Sequence, residues 1–152
     1  LELSHELDYI RWFFGEMKSV SANIQNSGTL DINVDDSVDM IFESVPGFSV
    51  SVHLDFNSRN TRRKCIARCA NGDLIWDAIA NKVTWQAANG SEELVTFKND
   101  SDYIYKEQLK HFFDCIGNNK EPAVSIDDGI KTMQIIDAAR KSNDTGLKVQ
   151  VV

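Results

Sequence analysis

The chain has 152 residues, enough for one domain that buries roughly two-thirds of the surface its unfolded form exposes. Its 42% hydrophobic and 26% charged residues lie in the ordinary globular range rather than the disordered one. The net charge of -7 repels phosphate backbones, which argues against a nucleic-acid partner, and no apolar run approaches the ~20 residues of a membrane helix.

The first element is a helix: Leu3, Leu7, Ile10 and Phe14 recur at three- and four-residue spacing, and Gly15 stands where a terminator belongs. The chain thus opens at Leu1 inside a helical pattern, as expected of a piece of a longer protein. Ser19 to Gln25 reads as a strand, followed by a turn at Asn26-Ser27-Gly28. Two strands with clean alternation come next. Val38, Met40 and Phe42 share one face of the first, and Phe48, Val50, Val52, Leu54 and Phe56 one face of the second. Ser49, Ser51, His53 and Asp55 lie opposite, and Val45-Pro46-Gly47 makes the hairpin turn.

Further strands are expected at Arg63 to Ala70, Asp73 to Trp76, Lys82 to Gln86 and Glu92 to Phe97, punctuated by Asn71-Gly72 and Asn89-Gly90. Tyr105, Leu109, Phe112, Phe113 and Ile116 then form a helical stripe closed by Gly117. Ser125 with Asp128 predicts the capped start of a last helix whose inward face is Ile130, Met133, Ile136 and Ala139 or Arg140. Gly146 ends it before a strand in Leu147 to Val152. With no internal repeat or linker, residues 1–152 read as a single α+β domain: a mostly antiparallel open sheet with helices packed on one face.

Cys65, Cys69 and Cys115 are an odd set, and two of them four apart on a strand lie about 13 Å from each other. A disulfide framework is therefore not expected, which points to a reducing, cytoplasmic compartment. No CxxC pair accompanies His53 or His111, so no metal site is expected either.

On the first helix Glu2, His5, Asp8 and Trp12 share the side opposite the leucine stripe, and Tyr9 and Phe13 make that side partly aromatic. A helix apolar on both sides is usually covered on both, so polar groups within it need partners. Histidine is the side chain suited to exchanging a proton near neutral pH, and a carboxylate one turn away would orient its ring. Spacing alone leaves open whether His5 and Asp8 do this or only bond backbone. His53 and Asp55 share a polar strand face that could border a substrate, a second subunit or only solvent. Arg59, Arg62 and Arg63 follow that strand and could hold a carboxylate or phosphate.

His5-Glu6-Leu7-Asp8 followed by Arg11-Trp12 and Phe14-Gly15 resembles the start of the C-terminal domain of the Gfo/Idh/MocA oxidoreductases. The likeness continues through Asp35-Asp36-Ser37, His53-Leu54-Asp55-Phe56, Arg62-Arg63 and Asn71-Gly72-Asp73-Leu74-Ile75-Trp76-Asp77. It ends in Tyr105 to Phe113 and Ser125 to Ser142, and so covers nearly the whole chain in order.

The resemblance implies a C-terminal domain like that of glyceraldehyde-3-phosphate dehydrogenase. A preceding Rossmann domain, absent from this chain, would bind NAD or NADP and carry a catalytic lysine. The substrate would be sugar-like, and subunits would pair through the sheet face. It implies that His5 assists proton transfer; Asp8, Glu2, His53, Asp55 and Arg63 are candidate substrate contacts by their own placement and charge. Many members place an aspartate four residues before this histidine, where this chain has Leu1. A catalytically silent sugar-binding or dimerisation module of the same fold is therefore the alternative. No glycine-rich βαβ unit is present, so this chain alone is expected to be inactive.

Overall fold

The computed structural model describes residues 4–98 and 101–152. The elements run α1 (Ser4–Phe14), β1 (Met17–Gln25), β2 (Ser37–Ser44), β3 (Ser49–Asp55), β4 (Lys64–Cys69), β5 (Gly72–Asp77), β6 (Lys82–Ala87), β7 (Glu92–Thr96), α2 (Ser101–Asn118), α3 (Ile126–Thr145) and β8 (Val149–Gln150). All strand pairings are antiparallel, so the expected α+β class holds, with the strands divided between two four-stranded sheets ordered β3-β2-β1-β8 and β4-β5-β6-β7. The chain forms two compact units, Leu1–Ser58 with Ala123–Val152, and Arg59–Pro122.

In the first unit the alternating strands do what their period dictates. Val20, Met40, Phe42 and Val50 are buried on one face of the sheet, against Leu7 and Ile10 of α1 and Ile135, Ile136 and Ala139 of α3. The hairpin folds about Pro46, pairing Phe42 with Val50 and Asp39 with His53. Gly15 takes φ 79°, and its N–H donates 2.8 Å to the Arg11 carbonyl, ending α1 as its sequence position predicts.

The start of α3 is also as expected. The Ser125 hydroxyl accepts from the Asp128 N–H while the Asp128 carboxylate accepts from the Ser125 N–H. Its inward face agrees in Ile136 and Ala139, which are buried, and differs in the rest. Ile130 and Met133 are exposed, and the buried residues are Thr132, Ile135, Ile136, Ala138, Ala139 and Ser142. The cause is polar. Beyond its two-residue pairing with β8, the edge of β1 needs acceptors for its amides. Ser142 accepts from the Ala22 N–H at 3.0 Å and Asn143 from the Ile24 N–H at 2.8 Å. Thr132 is drawn in by α1, as described below.

The second unit is a four-strand meander. Gly72 at its first turn has φ 152°, and a Cβ there would lie 2.3 Å from the Gln86 carbonyl oxygen, so no larger residue fits without displacing backbone. The Asp77 carboxylate accepts from the Ala80 N–H and from Lys64 at 3.0 Å, fixing the β5–β6 corner. One expectation for α2 needs correction. Gly117 lies within the helix, which ends at Asn118 before the positive φ of Asn119. Its stripe of Tyr105, Leu109, Phe112, Phe113 and Ile116 is more than half exposed throughout.

Candidate functional site

The first turn of α1 sets two adjacent residues in different surroundings. The His5 side chain is 54% exposed, whereas Glu6 beside it is 8% exposed, and His5 Nε2 lies 3.0 Å from Glu6 Oε1. A buried carboxylate at that distance fixes the ring and favours a proton on Nε2, which leaves Nδ1 as the nitrogen able to take a proton. Helical periodicity points instead to a carboxylate one turn away, Glu2 or Asp8. Neighbours in sequence diverge by about 100° on a helix, so spacing gives no sign of Glu6.

Asp8 is turned to another task. Its carboxylate accepts from the Thr132 hydroxyl at 3.1 Å and faces Arg11 Nη1 at 3.4 Å. The Arg11 side chain is only 5% exposed, and every arm of its fork is engaged. Nε and Nη2 form a bidentate pair with Glu16 at 3.0 and 2.9 Å. Nη1 donates to the Asp128 carbonyl at 3.0 Å and to Thr132 Oγ1 at 3.3 Å, and Nη2 reaches the Asp128 carboxylate at 3.4 Å. Lys131 adds a bond to Glu16 at 3.0 Å. The guanidinium holds the Glu16 carboxyl below its ordinary range. Bonds from Ser125, and then from Arg11, do the same for Asp128. One arginine thus joins the last turn of α1, the connection to β1 and the first turn of α3, which is what seats the helix carrying His5.

A cavity of about 90 Å³ opens at the end of the same layer. Leu7, Val38, Met40, Leu54, Phe56 and Ile136 supply its apolar wall, and Ser4, Asp35, Asp55 and Arg140 its polar groups. Asp55 and the first turn of α1 therefore border one space. The Asp55 carboxylate is held by Ser58, whose N–H and hydroxyl donate at 2.5 and 2.8 Å, and these bonds lower its pKa.

His53 faces away from the helices, with Nδ1 2.7 Å from Asp39 and Nε2 3.3 Å from Asp55. Asp39 was missed in the sequence, although folding the hairpin about Pro46 places it opposite His53. The hydrogen bond to Asp39 raises the His53 pKa above the ordinary 6.5, with charge attraction from both aspartates adding to it. Its contribution to folding is therefore complete below pH 6.5 and is lost as pH rises through the folded value. In Asp39→Asn the midpoint of the His53 ring, followed by proton NMR, should fall back towards 6.5; an unmoved midpoint would show that Asp39 does not hold the imidazolium.

Arg63 belongs to the second unit, where its guanidinium lies 5.4 Å from the centre of the Trp76 ring. Arg59 and Arg62 are exposed in that unit. Glu2 lies outside the described residues. Trp12, expected on a covered helix side, is 81% exposed. Among the described residues, no group of three histidine, cysteine or acidic side chains could hold a metal ion, and no helix is long and apolar enough to cross a membrane.

The fold and sequence both match known oxidoreductases. Levoglucosan dehydrogenase in complex with NADH and levoglucosan superposes with a TM-score of 0.88 at 18% identity, over 97% of this chain and 48% of that one. An oxidoreductase domain protein from Kribbella flavida gives 0.87 at 13% identity, over 98% and 48%. An Agrobacterium radiobacter oxidoreductase in complex with NAD+, L-tartaric acid and magnesium gives 0.76 at 16%, over 97% and 47%. The chain thus spans about half the length of these structures. No curated protein sequence matches. The family described as the GFO/IDH/MocA C-terminal domain matches residues 3–75, and the oxidoreductase family C-terminal alpha/beta domain matches residues 76–151. Between them these matches take in almost every residue, and the chain belongs to the Gfo/Idh/MocA oxidoreductase family, of which it is a C-terminal domain.

Proposed function

We propose that this chain is the substrate-side domain of a cytoplasmic NAD(P)-dependent dehydrogenase that acts on a hydroxyl of a sugar or cyclitol. The observation that carries this reading is the half-exposed His5, oriented by the buried Glu6, on a helix whose first turn borders a cavity with polar groups at Ser4, Asp35, Asp55 and Arg140. The fold it shares with a dehydrogenase named for an anhydrosugar supports the choice of substrate class.

A bound nicotinamide would supply the acceptor for the hydride of the carbinol carbon. The sequence shows no glycine-rich βαβ unit to cradle a pyrophosphate, so the dinucleotide would be held mainly by a Rossmann domain preceding Leu1. What this chain supplies is the proton's destination and the substrate's orientation. His5 Nδ1 takes the hydroxyl proton as the carbonyl forms, and Glu6 stabilises the resulting imidazolium through Nε2. Asp8 and Arg11 seat the helix rather than the substrate. Asp55 and Arg140 present charged groups to ligand hydroxyls at the cavity. The open face of the β3-β2-β1-β8 sheet is the surface through which subunits pair.

Sequencing the coding DNA upstream of Leu1 tests the domain reading. An in-frame Rossmann domain with a glycine-rich turn is the expected result. A start codon beside Leu1 would overturn catalysis in favour of a stand-alone binding module.

A further inference from the structure

The cavity bordered by the first turn of α1 is a funnel with two kinds of wall. Its floor is Leu7, Met40, Ile136 and Ala139, all apolar and none more than 4% exposed. Its rim is charged. Asp35 and Arg140 are exposed there, and neither side chain has a hydrogen bond or ion pair among the described residues. Asp55 beside them is already committed to Ser58 and His53. The space of about 90 Å³ also sets a size. An apolar cavity of about 150 Å³ takes a single benzene ring, so this one holds roughly three or four heavy atoms. A pyranose with its hydroxyls is far larger, and burying those hydroxyls against apolar side chains would leave them unpaired. The ring therefore stays at the rim, and only a short arm enters.

We propose that the funnel is the subsite for a short acylamino arm on the sugar, its terminal methyl on the apolar floor and its amide at the rim. The proposal rests on the reading of this cavity as part of the substrate site and adds the substituent that fills it. An acetamido group, made of a nitrogen, a carbonyl and a methyl, is the size the space allows. Its chemistry also runs in the right order from mouth to floor. The amide N–H donates to the Asp35 carboxylate and the carbonyl accepts from the Arg140 guanidinium, so both rim groups gain a partner. An alkyl arm of the same length would fill the floor but offer nothing to Asp35 or Arg140. An anionic arm would set a charge beside Asp35 and over apolar side chains, where its desolvation is costly.

Calorimetry of the full-length protein reads this subsite without requiring hydride transfer. The probes are N-acetylglucosamine against glucose and N-acetylgalactosamine against galactose. In at least one pair the acylated sugar should bind about tenfold tighter or more, the discrimination one well-seated methyl group supplies. Lengthening its arm from acetyl to hexanoyl should remove the gain, because the floor is closed. Ala139→Leu fills the floor and should remove the preference as well. Arg140→Gln, at an exposed position that needs no repacking, should weaken the acylated sugar about tenfold. No binding of either acylated sugar, equal affinities within both pairs, or a preference that survives both hexanoyl and Arg140→Gln would overturn the subsite. The dehydrogenase reading fails separately. Acylated sugars that bind with this preference but reduce no nicotinamide would overturn that reading and support the subsite. Turnover of plain sugars with no preference in binding would overturn the subsite alone.

Discussion

Replacing His5 by alanine in the full-length protein should lower turnover about a hundredfold or more while leaving dinucleotide affinity essentially unchanged. The size follows from the role. A positioned general base contributes on the order of 10² to 10⁴ to the rate, and water reaching the vacated position is a poor substitute. Cofactor affinity should be spared because the proposed role sets the residue at the reacting hydroxyl rather than at the nucleotide. Glu6 makes the prediction sharper. Glu6→Gln keeps the volume and a hydrogen bond but removes the carboxylate that orients the ring, so turnover should fall with KM little changed. Equal turnover in wild type and His5→Ala, measured as nicotinamide reduction under saturating substrate, would remove His5 from the chemistry.

Replacing Arg11 by methionine should destabilise the fold by about 3 kcal/mol or more, read as a fall in the urea midpoint at unchanged m-value. The buried fork holds Asp8, Glu16 and Asp128 in one place, and without it three carboxylates share a site, with Lys131 beside Glu16. Lysine restores a charge but not the bidentate geometry, so Arg11→Lys should fall between the two. A pH signature accompanies the loss. The Glu16 carboxyl is depressed from 4.5 chiefly by its hydrogen bond to Arg11, so its contribution is present above pH 4.5 and is lost as pH falls through the folded value. Arg11→Met should flatten the stability profile in that acid range. A midpoint equal to wild type would mean that the six contacts of this guanidinium contribute nothing net.

These two residues also mark where the sequence is legible. The α1 stripe from Leu7 onward, the β2–β3 hairpin and the Ser125–Asp128 cap follow from neighbours at short range, and all three stand where periodicity and turn chemistry put them, Leu3 lying outside the described residues. The facing of α3 does not. Thr132 and Ser142 turn inward because Asp8, Arg11 and the unpaired Ala22 amide need them, bonds spanning more than a hundred residues that no local pattern contains. The same is true of Arg11, visible beforehand only as part of a family-like string. Glu6 was hidden for a different reason, since helical spacing argues against contact between consecutive side chains. The α2 stripe reads strongly from spacing, yet spacing cannot name the surface that covers it.

The most direct test is to incubate the full-length protein with NAD+ or NADP+ and a panel of pyranoses, anhydrosugars and cyclitols, following nicotinamide absorbance alongside cofactor binding. Reduction with at least one member, lost in His5→Ala, is the predicted result. Cofactor binding without reduction by any of them would contradict it and leave a silent binding module on an oxidoreductase fold.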